Sequence, residues 1–381
     1  MHADPPRSMI QQLRGAGRLA VEATHGLTDL VEAMHSGMAR TPGRAPVARR
    51  GGISGLVYRG VHGVTRLVGG GIDVALQGLE PLLGSPRPNS PGHEALLAIL
   101  NGLLGDYLAA TDNPLAITMQ LRRQGRALAS PPPDAGPRPL LLIHGLCMND
   151  LQWQRGDLAE GLAALGYTPL HLHYNSGQHI SDNGRRLALL LERLLQAWPV
   201  PLQDLTLLGH SMGGLLARSA VYHAQADGLQ WPRRLRRMVS LGTPHLGAPL
   251  EQGGQQLQLL LGLSAYARPL IALTRRRSAG IQDLRWASLR EQDWGLRRRL
   301  PLPAGVACYA IAATTAQNPT GLPARLLGDG LVPLASALGR HREAAWRLDF
   351  PPEHQWVLAG AGHLALQSHP AVRAKLREWL G

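Results

Sequence analysis

A serine stands at the centre of the pentapeptide GHSMG at 209–213. An apolar run at 205–208 comes directly before the pentapeptide, and a helical pattern from about 213 to 226 follows it. A turn this tight between a strand and a helix strains its central residue and needs small neighbours. It also presents the central hydroxyl at the end of the strand and at a helix N-terminus. The spacing therefore predicts that Ser211 is a nucleophile rather than part of an ordinary glycine–serine turn.

A serine hydroxyl attacks a carbonyl only if a base removes its proton and a third group orients that base. When a strand–turn–helix carries the nucleophile, the acid and then the histidine follow it along the chain. His363 is the predicted base, because an apolar run breaks into glycines there, just before the last helix. His369 precedes a proline at the start of that helix, which favours a cap or surface role.

The predicted acid is Asp329, which lies between two glycines. Flanking glycines let the tip of a loop point inward. Asp349 is the alternative acid, but it lies only 14 positions before His363 and next to the turn at 350–352. We therefore expect Asp329, and not Asp349, to orient the histidine.

Acyl transfer passes through an oxyanion that backbone N–H groups can stabilise. Met212 supplies one N–H because it follows the nucleophile, and the loop after the first strand of the second half is expected to supply another, from Leu146. Cys147 is interpreted as a small buried apolar residue rather than a nucleophile. The residues expected to help bind the substrate are His144, Gly145, His210 and Leu260.

Short apolar runs alternate with helical patterns after residue 139, which is typical of a parallel sheet with helices on both faces. The predicted strands are 139–143, 168–173, 205–208, 238–241 and 308–312. The predicted helices are 158–165, 181–198 with Ser181 as its cap, 213–226 and 370–380.

Residues 1–130 have three segments with helical spacing, and the middle segment is rich in glycine. We predict a helical accessory region there, and leave membrane association open as an alternative. A proline-rich linker at 131–138 is predicted to separate it from a catalytic domain at 139–381, because proline blocks helix continuation and strand pairing.

Leucines at helical spacing within 252–274 predict a helical lid, or the wall of an acyl pocket, at about 250–300. The alternative is a packed cap that does not move. The arginines at 275–277 fit contact with phospholipid head groups or a solvated charge run equally well.

The chain of 381 residues carries a formal charge of +13. Its arginines form short, scattered clusters without interleaved aromatic residues, so nucleic acid is not expected as a partner, whereas an anionic lipid surface stays open. Two cysteines make neither a disulfide framework nor a metal cluster. Because we find no secretory leader pattern and no run of 18 apolar residues, we expect a cytoplasmic protein and leave peripheral contact with the inner membrane open.

Five motifs occur in a fixed order along the second half. They are His144-Gly145, Gly209–Gly213, Gly242-Thr-Pro-His-Leu-Gly-Ala-Pro249, Asp329-Gly-Leu-Val332 and Gly362-His-Leu364. Together they resemble the lipase branch of the α/β hydrolases, above all the GPI inositol-deacylase-like and bacterial triacylglycerol-lipase families, over about 139–381.

The resemblance implies an α/β-hydrolase fold and ester hydrolysis by a triad of Ser211, Asp329 and His363, with no cofactor. Secreted lipases of this type often hold calcium through an aspartate just past the catalytic histidine. Leu364 and Ala365 occupy those positions here, so we expect no metal.

The residues and the resemblance together predict a serine hydrolase that cleaves carboxylic esters, with lipid esters as the expected substrates. Two alternatives stay open. One is an acyltransferase that uses the same triad with an alcohol or thiol in place of water. The other is a membrane-associated scaffold that binds lipid without turnover. Spacing sets neither acyl length, head group nor oligomeric state.

Overall fold

The computed structural model describes Gly15, Arg18 and residues 91–154, 156–248, 278–296, 298–318 and 328–381. Most of the predicted N-terminal helices and the part of the predicted lid that contains Leu260 lie outside the described residues. The chain divides into two compact units. One holds residues 1–4, 90–109 and 116–381, and the other holds residues 5–89 and 110–115.

Within the described part of the smaller unit, a side-chain amide joins segments far apart in the sequence. Asn113 Nδ2 donates to the carbonyl oxygen of Gly15 at 3.1 Å, and Asn113 Oδ1 accepts from the Leu115 N–H at 2.9 Å. Within the described residues of the whole chain, no helix is both long and apolar enough to cross a membrane.

The larger unit is built on a sheet of eight strands in the order β2-β1-β4-β3-β5-β6-β7-β8. The strands are β1 (Gln120–Arg123), β2 (Arg126–Ala127), β3 (Arg138–Ile143), β4 (Tyr167–His173), β5 (Leu205–His210), β6 (Leu235–Leu241), β7 (Ala307–Thr314) and β8 (Gln355–Ala359). Strands β3 to β8 pair in parallel, whereas β1 and β2 are antiparallel additions at one edge. This arrangement confirms the predicted α/β-hydrolase fold.

The α-helices among the described residues are α1 (Pro91–Ala110), α2 (Leu158–Ala163), α3 (Ile180–Gln196), α4 (Met212–Ala226), α5 (Ala279–Trp286), α6 (Leu334–Ala337) and α7 (Pro370–Leu380). Of these, α2, α3, α4, α6 and α7 pack on the two faces of the sheet. Leu141 and Ile143 share one core with apolar residues of α3 and α4, while Leu140 and Leu142 share a second core with those of α2 and α7. Successive side chains of a strand point to opposite faces, so a strand buried on both sides must be apolar throughout.

The central strands bring the site together because their carboxyl ends are in register. Ile143 is paired with Gly209, and His210 is paired with Leu241. The loops that follow β3, β5 and β6 therefore begin side by side, which is where ligands bind in open parallel sheets.

The sheet starts earlier in the chain than the sequence predicts. Strand β1 pairs with β4 through Leu121 and Leu172, so pairing begins before the predicted linker at 131–138. This short strand escapes a search for apolar runs, because its sequence is Gln-Leu-Arg-Arg and only Leu121 is fully buried in it.

The start of helix α3 also differs from the prediction. The N-cap position is His179, and Ser181 lies inside the first turn, where its Oγ accepts a hydrogen bond from Trp294 Nε1 at 3.0 Å. The Ile180 N–H donates instead to Asp283 Oδ2 at 2.8 Å. The Asp283 carboxylate on α5, about a hundred positions away in the sequence, therefore accepts a hydrogen bond that a capping residue next to the helix would otherwise accept.

Candidate active site

Ser211 occupies the turn between β5 and α4 in a strained conformation, with φ 55° and ψ −124°. Its N–H donates to the carbonyl oxygen of Leu241 at 2.8 Å, which ties the turn to the neighbouring strand. A Cβ at Gly213 would collide with the carbonyl of Ile143, and one at Gly209 would collide with Gly214. The small residues of the pentapeptide are therefore required by close backbone approach.

Asp329 and His363 form a buried hydrogen-bonded pair. The Nδ1–H of His363 donates to Asp329 Oδ2 at 2.7 Å, and the His363 N–H donates to the Asp329 carbonyl oxygen at 3.0 Å. The other carboxylate oxygen accepts from the N–H groups of Leu331 and Val332, at 3.0 and 2.8 Å. Both the carboxylate and the imidazole are thereby fixed in orientation.

The imidazole of His363 lies next to the serine turn. Its ring centroid is 4.7 Å from that of His210, the residue before Ser211. A Cβ at Gly242, directly after β6, would lie 3.1 Å from the same imidazole. The Nε2 atom of His363 is buried and has no hydrogen-bond partner among the described residues. This nitrogen is the one that could accept a proton.

The loop after β3 also lies next to Ser211. A Cβ at Gly145 would lie 2.9 Å from Ser211 Cβ, so the residue at 145 must be small for the loop to pass the serine. No hydrogen bond is present from the Leu146 N–H to a described residue. Met212 is the first residue of α4, where an N–H has no acceptor within the helix. Neither amide therefore has a hydrogen-bond partner among the described residues, and both could bind a negative oxygen.

His144 and His210 lie beneath the site rather than on its surface. His210 is fully buried and its Nε2–H donates to the carbonyl oxygen of His363 at 3.1 Å. His144 is also fully buried and stacks on Tyr174 with 4.3 Å between ring centroids. Burial lowers the pKa of His144 to about 3 and that of His210 well below its usual value, so both imidazoles are neutral.

The residues weighed as alternatives lie elsewhere. Asp349 is exposed and forms an ion pair with Arg299 at 3.0 Å. His369 caps α7 by accepting the Ala371 N–H at 3.2 Å. Cys147 is buried, and burial raises the pKa of its thiol to about 12, which keeps it protonated. Leu260 lies outside the described residues.

The sequence prediction did not assign Gly242 to the site. Gly242 has φ 58°, a conformation that glycine adopts readily, and the space above its Cα is filled by the His363 ring. Two signals in the sequence pointed to it, its place directly after a buried strand and its place at the start of the motif at 242–249. Within the described ranges, no group of three or more histidine, cysteine or acidic side chains could hold a metal ion.

The larger unit has the fold of the α/β hydrolases. Residues 134–288 match the family model of the PGAP1-like alpha/beta domain, which confirms the predicted family resemblance over that segment. No curated protein matches the chain.

Several solved structures are similar to this chain. The mature lipase BlEst2 of Bacillus licheniformis is 19% identical, with a TM-score of 0.45, and the alignment covers 69% of this chain and 98% of that one. The esterase Pf2001 of Pyrococcus furiosus is 14% identical, with a TM-score of 0.36 and coverage of 65% and 84%. A Paleococcus ferrophilus monoacylglycerol lipase is 14% identical, with a TM-score of 0.38 and coverage of 69% and 98%.

Proposed function

We propose that this protein is a serine hydrolase that cleaves carboxylic esters, with lipid esters as its substrates. The observation that carries the proposal is the buried Asp329–His363 pair, whose unpartnered Nε2 lies beside the strained turn of Ser211. A base held by a carboxylate next to a serine is the arrangement that activates a hydroxyl for acyl transfer.

In the proposed reaction, His363 Nε2 takes the proton of Ser211 Oγ as this oxygen bonds to the ester carbonyl carbon. The N–H groups of Leu146 and Met212 bind the resulting oxyanion. Asp329 holds the Nδ1–H and stabilises the imidazolium. The bond to the leaving alcohol then breaks, and His363 returns the proton to its oxygen. Water, activated in the same way, releases the acid from Ser211.

His210 has a positioning role in this proposal instead of the substrate contact expected from the sequence. Its Nε2–H holds the backbone of His363, and burial keeps its imidazole uncharged. A neutral neighbour adds no repulsion when His363 becomes positive, whereas a charged one 4.7 Å away would oppose the proton transfer. His144 likewise supports the loop of Gly145 and Leu146 from below.

Lipid esters are proposed because the motifs resemble those of lipases, and because BlEst2 and the Paleococcus protein are named lipases. The leucine-rich segment at 252–274 would add apolar surface for an acyl chain. Chain-length preference therefore tests the substrate class separately from the chemistry.

The test is hydrolysis of p-nitrophenyl esters from C2 to C16 by the wild type and by Ser211→Ala. We expect kcat to fall by at least about 10⁴-fold in the variant. Ser219→Ala is the matched control, because its buried hydroxyl lies on the same helix and donates to the Leu289 carbonyl oxygen at 2.7 Å. Ser219→Ala should have the kcat of the wild type, and its free energy of unfolding should be lower by about 1 kcal/mol.

Equal turnover by Ser211→Ala and the wild type would rule out Ser211 as the nucleophile. A preference for C8 or longer chains supports a lipid ester, and a preference for C2 to C4 contradicts it. Added alcohol separates hydrolysis from acyl transfer, because an acyltransferase forms the new ester in place of the free acid.

A further inference from the structure

Helix α1 packs against the loop that carries Leu146, the proposed oxyanion donor. The helix precedes the sheet in the chain and lies outside the segment that matches the family model. A Cβ at Gly102 of α1 would collide with Cys147 Sγ, and would lie 2.8 Å from the backbone nitrogen of Cys147 and 2.9 Å from its Cα. Backbone atoms cannot rotate away as the end of a side chain can. The contact between helix and loop therefore requires a glycine at position 102.

The same helix holds the loop after β4. Asn175 Nδ2 donates to the carbonyl oxygen of Gly105 at 2.8 Å, and a Cβ at Gly177 would collide with the backbone of α1. Between these two contacts lies Ser176, whose Oγ accepts the N–H of Cys147 at 3.1 Å. The loops after β3 and β4 are thus joined to each other, and both are packed against α1.

Helix α1 is itself held in place by the start of α5. Ser278 Oγ donates to the carbonyl oxygen of Gly102 at 2.7 Å, and Asp106 Oδ2 accepts the Ala279 N–H at 3.2 Å. Because these bonds hold the residue that touches Cys147 and a second residue one turn later, α1 cannot withdraw from the loop without breaking them.

The backbone of Cys147 needs such support. Its φ is 58°, in the left-handed region that residues other than glycine adopt rarely. A conformation of this kind persists only where the surroundings hold it. Gly102 and Ser176 hold Cys147 from two sides. Leu146 therefore has little freedom, because it joins Cys147 to Gly145, which is packed against Ser211.

We propose that Gly102 is a positioning residue for ester hydrolysis, because it lets α1 fix Cys147 and so keeps the Leu146 N–H where the oxyanion forms. The inference rests on the proposed function, since a placed amide matters only if an oxyanion forms. A backbone donor stabilises this oxygen only from about 3 Å away. A displacement of about 1 Å can lower a rate by about a hundredfold.

The experiment compares the wild type with folded Gly102→Ala on the p-nitrophenyl ester that the wild type cleaves fastest. We expect kcat to fall by at least about tenfold with KM within about twofold, because the oxyanion forms only after the substrate has bound. A trifluoromethyl ketone forms a tetrahedral adduct with a nucleophilic serine, so its oxyanion would bind the same amides. Its affinity should fall by the same factor as kcat/KM. A loss of stability alone would change neither quantity in the folded protein.

Gly161→Ala is the matched control, because it makes the same change within helix α2. A Cβ at Gly161 would meet only the guanidinium of Arg377, which can rotate away, so kcat should stay within about twofold. The double variant Gly102→Ala/Cys147→Ala should have a higher kcat than Gly102→Ala, because it lacks the colliding Sγ.

Ser176→Ala decides the matter if Gly102→Ala does not fold. It removes the oxygen that accepts the Cys147 N–H without adding an atom, and it should also lower kcat by at least about tenfold at unchanged KM.

The proposal is overturned if kcat of the variant that decides it falls by less than about tenfold. It is also overturned if the double variant is no more active than folded Gly102→Ala. A wild type that cleaves no ester would overturn the proposed function and this inference with it. An active wild type beside an equally active Gly102→Ala would overturn this inference alone.

Discussion

Among the described residues, two aspartate–histidine pairs have both side chains buried, and one of them lies beside the Ser211 turn. Asp150 Oδ1 is 3.0 Å from His173 Nδ1, and Asp329 Oδ2 is 2.7 Å from His363 Nδ1. The two pairs differ in what else surrounds the carboxylate. Arg122 Nη1 lies 3.1 Å from Asp150, whereas the partners of the Asp329 carboxylate among the described residues are His363 and two amides of its own loop.

This difference in the groups around the two carboxylates determines which role each pair can have. Burial alone raises the pKa of Asp150, but the His173 hydrogen bond and the charge of Arg122 outweigh it and lower that pKa to about 2. Its charge is already neutralised by a cation, and the network holds β1 and β4 to the loop after β3. Among the described residues the charge of Asp329 has no such cation, so it could stabilise a positive His363. Under the proposed function, the same two residue types thus serve stability at one place and proton transfer at the other.

The largest expected effect comes from Asp329→Asn. We expect kcat for ester hydrolysis to fall by about 10⁴-fold, because an amide neither stabilises the imidazolium nor fixes the tautomer with Nε2 free. Asn Oδ1 can still accept the two loop amides, so the free energy of unfolding should change by less than about 1 kcal/mol.

The matched control is Asp349→Asn, the same change at the exposed aspartate that competed for this role in the sequence. It should leave kcat within about twofold, because surface substitutions rarely disturb a distant site. A loss of turnover in Asp349→Asn with normal turnover in Asp329→Asn would reverse the assignment of the acid.

Asp150→Asn should have the opposite profile. We expect the free energy of unfolding, measured with urea, to fall by about 3 kcal/mol, because Arg122 would lose a buried counter-charge. The kcat of the folded protein should stay within a few-fold of the wild type. Asp157→Asn removes an exposed ion pair with Arg373 and should cost less than about 1 kcal/mol. If Asp150→Asn kept the wild-type free energy of unfolding but lost most of its kcat, Asp150 would take part in turnover. The two pairs would then not differ in function.

His144 is a buried histidine whose imidazole has no hydrogen bond to a carboxylate among the described residues. Its folded pKa of about 3 is below the unfolded value of about 6.5, so the unfolded chain binds the proton first as the pH falls. Stability from this group is complete above about pH 6.5 and is lost toward pH 3. The loss is about 2 kcal/mol at pH 5.

Urea unfolding at pH 7 and pH 5 measures this loss. His144→Gln should lose about 2 kcal/mol less than the wild type between these pH values. His341→Gln, which removes a half-exposed imidazole, should match the wild type. An identical pH dependence in wild type and His144→Gln would contradict the low pKa.

The smallest effect is expected at Cys147, next to the proposed oxyanion donor Leu146. With a thiol pKa of about 12, only about one molecule in 10⁴ is a thiolate at pH 8. Iodoacetamide at pH 8 should therefore leave turnover unchanged over an hour, while a serine-directed phosphonate inactivates the enzyme. Rapid loss of activity with iodoacetamide, absent in Cys147→Ala, would indicate an accessible thiolate.

The sequence alone determined the features that depend on neighbours along the chain. The Ser211 turn follows from local sterics, because only small flanking residues allow a backbone with φ 55° between a strand and a helix. Strand β3 is apolar on both faces, and α7 begins at a proline, so both could be located within a residue or two. Strand β1 could not, because its burial depends on pairing with β4.

Only the tertiary structure decided which side chains meet. It joined Asp329 rather than Asp349 to His363 across 34 positions, and it placed Gly242 against the imidazole. It also buried Arg218 and let Asp283 replace Ser181 at the start of α3. These contacts join residues that are distant in sequence, and their energies depend on burial and distance, which spacing along a chain does not specify.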